Sequence, residues 1–246
     1  MQRFEGSVAL ITGASRGIGF AIARRLVSEG ASVVVTGRDG DALKAAVAEL
    51  GEERASGVAG KADDPDHQAA AVAHAAERFG GLDHLVNNAG INPAYGPLTG
   101  IDLDAARKIL EVNVIAALGW TRRAAAAGRL RSVVNMASIA GTASSPGIGF
   151  YGVSKAALIN LTEQLAEELA PAVRVNALAP AVVKSRFSKA LYEGREAEAA
   201  GAYPLARLGA PDDVAGPAAF LLSEDAAWVT GQTILVDGGA SARRSW

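Results

Sequence analysis

Short β-branched runs alternate with long Ala/Leu-rich amphipathic stretches along this chain, and no other feature constrains its fold as strongly. The runs at 8–12, 32–36, 57–61, 85–87, 132–136, 173–178 and 233–236 are predicted strands. The stretches at 17–29, 41–50, 65–79, 103–127, 154–168 and 212–222 carry apolar residues at helical spacing, usually with a polar start or a glycine stop. Strands joined by helical crossovers must run parallel, and the crossovers are right-handed, so helices cover both faces of the sheet. The predicted fold class is therefore α/β, a single doubly wound domain over residues 1–246. Ligands of such sheets bind beyond the carboxyl ends of the strands, which makes the residues after each strand the first to inspect.

Composition narrows the function. With 246 residues, 50% hydrophobic and 20% charged, the chain can bury a sizeable core, and no Pro/Ser/Gly-rich linker divides it. The net charge is −2, from 24 Lys+Arg against 26 Asp+Glu, so no basic field exists to recruit nucleic acid or an anionic membrane. The absence of cysteine excludes disulfides, thiolate metal sites and a thiol nucleophile. No apolar stretch reaches the roughly 18 residues that span a bilayer, and a cytoplasmic location is expected. His67, His74 and His84 lack ligand-like companions, so no metal is assigned. One region, 181–209, breaks the alternation with mixed polar residues, glycines and Pro204; its part at about 185–207 is expected to be a substrate lid that moves.

The first strand runs into Thr12-Gly13-Ala14-Ser15-Arg16-Gly17-Ile18-Gly19 before helical pattern begins. Glycines let the backbone approach a pyrophosphate, and the free amides and positive dipole of the next helix favour its charge. The second strand ends Val35-Thr36-Gly37-Arg38, with no acid where an unphosphorylated ribose would want one. Arg38, with Arg16 from the turn, is expected to clamp a 2′-phosphate, which favours NADP(H) over NAD(H). The neighbouring Asp39 argues the other way. Asp63 or Asp64, after the third strand, is expected to accept from the adenine amino group.

Tyr151 and Lys155 stand four residues apart, one face of one helical turn. A free phenol titrates near pH ~10, and a fixed ammonium beside it is expected to lower that value. Ser138 follows the fifth strand, where its hydroxyl reaches a carbonyl held next to Tyr151. Asn87-Asn88-Ala89-Gly90 closes the fourth strand, with amides for neighbouring backbone groups and a glycine that admits a cofactor. Asn113, a poor helix former within an apolar helix, needs an inward polar contact.

Taken together, these residues resemble the short-chain dehydrogenase/reductase family, of the kind with a Thr-Gly-x-x-x-Gly-x-Gly turn. The resemblance covers essentially the whole chain, from Thr12–Gly19 through Asn87–Gly90, Asn113, Ser138 and Tyr151/Lys155 to Leu178-Ala179-Pro180. It implies a Rossmann-type, seven-stranded parallel sheet and a homotetramer whose dimer faces use the helices bearing Asn113 and Tyr151. It also implies that Tyr151 is the general acid, Ser138 orients the carbonyl, Lys155 binds ribose and tunes the tyrosine, and Asn113 holds a water for a proton relay. The implied cofactor contacts are Gly13, Ser15, Arg16, Gly17, Ile18, Gly19, Arg38, Asp63, Asn87, Ala89, Gly90, Tyr151, Lys155, Pro180, Val183 and Ser185. The family usually has Pro-Gly followed four residues later by threonine. Here Pro180-Ala181 is followed by Ser185, which keeps the hydroxyl but loses the residue that takes positive φ freely.

The closest flavour within the family is the 3-oxoacyl-thioester reductases and related carbonyl reductases. Expected substrate contacts are 91–95, 140–145, 146–150 and 187–203. Arg122, Arg123, Arg129 and Arg131 form a sequence cluster that an acyl-carrier partner would use at the cleft mouth. Two alternatives stand beside the NADPH-dependent reductase: an NAD-dependent alcohol, steroid or sugar dehydrogenase, and a non-catalytic nucleotide-sensing scaffold.

Overall fold

The computed structural model describes residues 2–242, so residue 1 and residues 243–246 of the expected domain lie outside the described residues. Its strands are β1 (Val8–Ile11), β2 (Ser32–Gly37), β3 (Ala55–Ala59), β4 (His84–Asn87), β5 (Ser132–Met136), β6 (Arg174–Pro180) and β7 (Thr233–Val236). They form one seven-stranded parallel sheet in the order β3-β2-β1-β4-β5-β6-β7. The main helices are α1 (Gly17–Ser28), α2 (Gly40–Leu50), α3 (Pro65–Phe79), α4 (Leu103–Leu110), α5 (Ala116–Ala126), α6 (Gly149–Leu169), α7 (Glu196–Gly201) and α8 (Pro211–Leu222). The doubly wound α/β fold expected from the alternation is the fold observed.

Side chains that alternate along each strand feed two separate cores. Ala9, Ile11, Val33 and Val35 pack with α1, α2 and α8, while Val8, Leu10 and Val34 pack with α3, α5 and α6. Strands β1, β4 and β5 are buried along their whole length, which is why they read as continuous runs rather than alternating ones. The edge strand β3 begins at Ala55, two residues before the expected 57–61, because its register is set by pairing with Val33 to Gly37 and not by its own weak Ala-Ser-Gly-Val-Ala signal. The sheet order reverses between β1 and β4, so the crevice lies above their carboxyl ends.

Two helices depart from their expected spans in ways that matter for the site. The stretch expected as one helix over 103–127 is interrupted by a π-helical turn at Glu111–Ile115, and such turns concentrate at functional sites. Helix α6 starts at Gly149 rather than 154. Its buried stripe is Tyr151, Ser154, Lys155, Leu158, Thr162 and Leu165, helical in spacing but polar in its first half. Apolar periodicity therefore understates the helix where it carries the chemistry.

The amino edge of the sheet corrects one expectation. Arg129 and Arg131 flank the entry to β5, opposite the crevice, and both pair with buried Asp83, at 2.9 and 3.6 Å. Arg129 also donates to Gly80 O and Gly6 O, and Arg123 donates to Gln68 Oε1. Arg129 and Arg131 therefore clamp the far end of the sheet and do not lie at the cleft mouth, because the start of a parallel strand and its end are on opposite edges, while Arg123 is held by Gln68 in the first turn of α3.

Next to Asp83, His84 is buried with its Nδ1 2.8 Å from Ser132 Oγ, and Ser132 Oγ donates in turn to Leu222 O at 3.2 Å. The hydroxyl proton is thus engaged, so His84 Nδ1 is the donor to Ser132. Burial brings the imidazole pKa down to about 4. Because the folded value lies below the unfolded one, the stability contributed by neutral His84 is complete above pH ~6.5 and is lost as pH falls toward the folded value. Between pH 7 and pH 5 the wild type should lose about 2 kcal/mol more than His84→Gln in urea unfolding, from this shift alone. Equal losses would show that His84 titrates normally.

Candidate active site

The glycine turn fits a phosphate group, and the fit is visible in how helices begin. Helices α2, α3 and α4 are each capped by an aspartate, Asp39, Asp64 and Asp102, and each has a further acid in its first turn. Helix α1 begins at Arg16 with no side-chain cap and no acid, leaving its first amides to an outside anion. Gly13 has φ +63°, and a Cβ there would lie 3.1 Å from Ala89 Cα, so the turn closes onto the end of β4 only with glycine. Gly17 has φ +62° and faces Ser185 across otherwise open space.

The Asn87–Gly90 segment divides its work differently from the expectation. Asn87 turns its side chain into the layer between sheet and helix, donating to Asn135 Oδ1 at 2.8 Å and Thr121 Oγ1 at 3.1 Å. Only its backbone is left for a dinucleotide, because β4 alternation points this side chain toward α5. Asn88 reaches the cradle instead, donating from Nδ2 to Thr12 O and Gly13 O at 2.9 and 3.0 Å. A Cβ on Gly19 would lie 2.5 Å from that Nδ2. Thr12 Oγ1 accepts from Asn88 N and Ala89 N, both at 2.9 Å. Both Asn88 and Thr12 were legible as motif members, but their roles depend on strands far apart in sequence.

At the end of β2, Arg38 and Asp39 are differently engaged. Asp39 accepts from Asp41 N and Ala42 N at 3.1 Å and so caps α2. Arg38 and Arg16 are both exposed, and their guanidinium groups make no hydrogen bond or ion pair among the described residues. Ser15 lies close to Gly37, and Ile18 packs against the α1 core. Beyond β3, Asp64 caps α3, whereas Asp63 is paired with Lys108, which holds its carboxyl below the usual range. Both carboxylates thus already have partners within the protein.

Tyr151, Ser138, Lys155 and Asn113 converge at the carboxyl edge. Ser138 caps the short helical turn Ile139–Gly141 and lies beside the Tyr151 phenol, whose pKa it pulls down. Lys155 is buried, with Nζ donating to Met136 O at 2.6 Å and lying 5.5 Å from the Tyr151 ring centroid. Burial pushes the phenol up to about 12, against the pull of Ser138, and brings the lysine down to about 8. The expected lowering of the tyrosine by the lysine is not what this geometry delivers, since the ammonium sits over the ring and desolvation of both groups dominates. At neutral pH the phenol holds its proton. Asn113 sits in the π-helical turn, buried, its amide bonded to the backbone of Ile91. Gly90 makes room there, as a Cβ would lie 3.3 Å from Asn113 Oδ1 and 3.5 Å from Lys155 Nζ.

The other expected contacts lie on the opposite wall. Pro180 ends β6, and its carbonyl faces Ser138 Oγ at 3.5 Å. Val183 buries its side chain in the core, so its contribution to a cofactor site is backbone only. Ala181 needs no left-handed conformation; among the described residues Ala206 alone of the non-glycines has positive φ. The segment expected to be a lid is joined at its base by the Val183–Gly209 bridge, and Tyr203 Oη accepts from Val182 N at 3.3 Å. Phe187, half exposed, brings its ring to 5.9 Å from that of Tyr151.

A phosphate-binding turn at the switch point of a parallel sheet, with a protonated tyrosine beside it, defines a dinucleotide-dependent oxidoreductase. A family model described as enoyl-(acyl carrier protein) reductase matches residues 13–241. The dehydrogenase/reductase SDR family member 4 of Caenorhabditis elegans is 40% identical over 98% of both chains, and that of Homo sapiens 43% identical over 96% of this chain and 88% of its own. A short-chain dehydrogenase/reductase from Brucella melitensis, named as a glucose/ribitol dehydrogenase, superposes with TM-score 0.92 at 36% identity, covering 97% of this chain and 98% of its own. The chain belongs to the short-chain dehydrogenase/reductase family and is an NAD(P)-dependent oxidoreductase. No helix among the described residues is long and apolar enough to cross a membrane.

Proposed function

We propose that the protein is an NADPH-dependent reductase that converts a ketone or 3-oxoacyl thioester to the alcohol. The observation that carries this reading is the placement of the Tyr151 phenol, buried beside Ser138 and Lys155 at the carboxyl edge. A group of this kind is set to donate, which is the need of carbonyl reduction. When bound, the dinucleotide supplies the hydride to the carbonyl carbon. Ser138 Oγ holds the substrate oxygen, Tyr151 Oη gives it a proton, and the charged Lys155 stabilises the phenolate left behind. Gly13, Ser15, Gly17, Ile18, Gly19, Asn88, Ala89 and Ser185 would hold the pyrophosphate side, and Lys155 the ribose.

The preference for NADPH rests on Arg16 and Arg38, left without carboxylate partners while Asp39 caps α2. Tyr95, Leu98 and Phe187, each at least half exposed near Tyr151, give the mouth an apolar rim suited to acyl or aryl groups rather than to polyols. We further propose a homo-oligomer, with the exposed Ile115 and Val153 on the Asn113 and Tyr151 segments at its dimer face.

The test is loss of reduced-nicotinamide absorbance with an acetoacetyl thioester and a panel of aryl and cyclic ketones, run with NADPH and NADH. Turnover with NADPH is expected. Exclusive oxidation of alcohols or sugars with NAD would overturn the reading.

A further inference from the structure

We propose that Ser154 is a positioning residue that braces Asn113 against the Tyr151 turn and so sets the distance between α6 and the π-helical segment. The inference rests on the catalytic reading above.

Hydrogen-bond accounting carries it. Asn113 is 1% exposed, so each of its amide atoms needs a partner within the protein. Oδ1 accepts from Ile91 N at 2.8 Å. One Nδ2 hydrogen goes to Ile91 O at 3.0 Å, and the other to Ser154 Oγ at 3.0 Å. Ser154 is 0% exposed, and its own proton goes to Tyr151 O at 2.7 Å. The hydroxyl is therefore oriented: its proton points down its own helix, and a lone pair is left for Asn113. Serine in a buried helix stripe has little else to recommend it, since alanine packs there at no polar cost.

The consequence is a continuous chain of bonds through three elements. It runs from Tyr151 on α6, through Ser154, to Asn113 in the π-helical turn, and on to Ile91 in the loop after β4. Removing the Ser154 hydroxyl leaves one buried N–H of Asn113 unpaired. The amide can regain a partner only by rotating, and rotation breaks its pair of hydrogen bonds to the Ile91 backbone. Ser154 touches neither the reacting atoms nor a phosphate group; its two contacts are Asn113 Nδ2 and the backbone carbonyl of Tyr151, and the Asn113→Ala background separates the first route from the second.

The experiment measures kcat and KM for a ketone substrate in Ser154→Ala, Asn113→Ala and the double variant. NADPH binding by fluorescence and amide hydrogen exchange are followed in parallel. We expect Ser154→Ala to lower kcat about 10-fold, consistent with one buried unpaired donor, with KM and NADPH affinity within about 2-fold of wild type. In the Asn113→Ala background the same change should lower kcat less than about 2-fold, because the brace then has nothing to hold. Ile91 N–H should exchange faster in Ser154→Ala, while Val133 N–H in β5 keeps its protection. Ser154→Cys, of similar volume and with a weaker acceptor, should give a smaller loss with the same pattern; it carries the test if Ser154→Ala does not fold. An equal loss in both backgrounds, a wild-type kcat, or unchanged Ile91 exchange would overturn the proposal. If the wild type turned over no ketone, the catalytic reading would fall, while the exchange measurement would still decide whether the brace exists.

Discussion

Replacing Tyr151 with phenylalanine should lower kcat for carbonyl reduction about 1,000-fold, the middle of the range for losing a positioned proton donor. The ring would stay, with its packing beside Phe187 and beneath Lys155, so NADPH binding measured by fluorescence should be close to wild type. The effect is large because the phenol is the group at this edge that combines a held proton with contact to Ser138. Lys155 adds a pH signature. Its ammonium, brought down to about 8 by burial, is charged below that pH and neutral above it. The wild-type rate of reduction should therefore decline as pH rises through about 8, as the cation that steadies the phenolate is lost. A Tyr151→Phe enzyme retaining more than a tenth of wild-type kcat would remove tyrosine from the role of acid.

The second large effect concerns the cofactor. Arg16→Ala and Arg38→Ala should each lower kcat/KM with NADPH by about 10- to 150-fold, the loss of a charge-assisted hydrogen bond worth ~1.5–3 kcal/mol. Turnover with NADH should change by less than about 3-fold, since a plain ribose offers these guanidiniums no phosphate. Arg38→Asp should go further and reverse the preference, by placing a carboxylate where ribose hydroxyls would donate. Steady-state kinetics with both dinucleotides decide the matter. Equal losses with the two would mean that neither arginine meets a 2′-phosphate.

Much of the site was open to reading along the chain because its signals are local. A strand, a glycine-rich turn and a helix occupy one short segment at Thr12–Gly19, and Tyr151 and Lys155 lie on one helical turn whatever else surrounds them. What escaped reading depended on partners distant in sequence. Asn87 and Asn88 are adjacent and chemically identical, yet one faces α5 and the other the glycine turn, a division made by strand alternation and by the neighbouring β1. The Arg129/Arg131 cluster was placed at the wrong edge because proximity in sequence does not say which end of a strand a residue begins. Ser154 carried no signal at all, since its meaning lies in Asn113, 41 residues away.

The sequence by itself determined the fold class, the order of strands and helices, the position of the phosphate turn and the residue types of the chemistry. These follow from hydrophobic periodicity, glycine spacing and helical geometry, which act over a few residues. Only the tertiary structure decided which carboxylates cap helices and which form ion pairs, where the tyrosine and lysine titrate, and how Asn113 is held. Those outcomes depend on burial and on hydrogen bonds between segments that meet only when the sheet closes, and desolvation in that interior outweighs what the neighbouring charge alone would do.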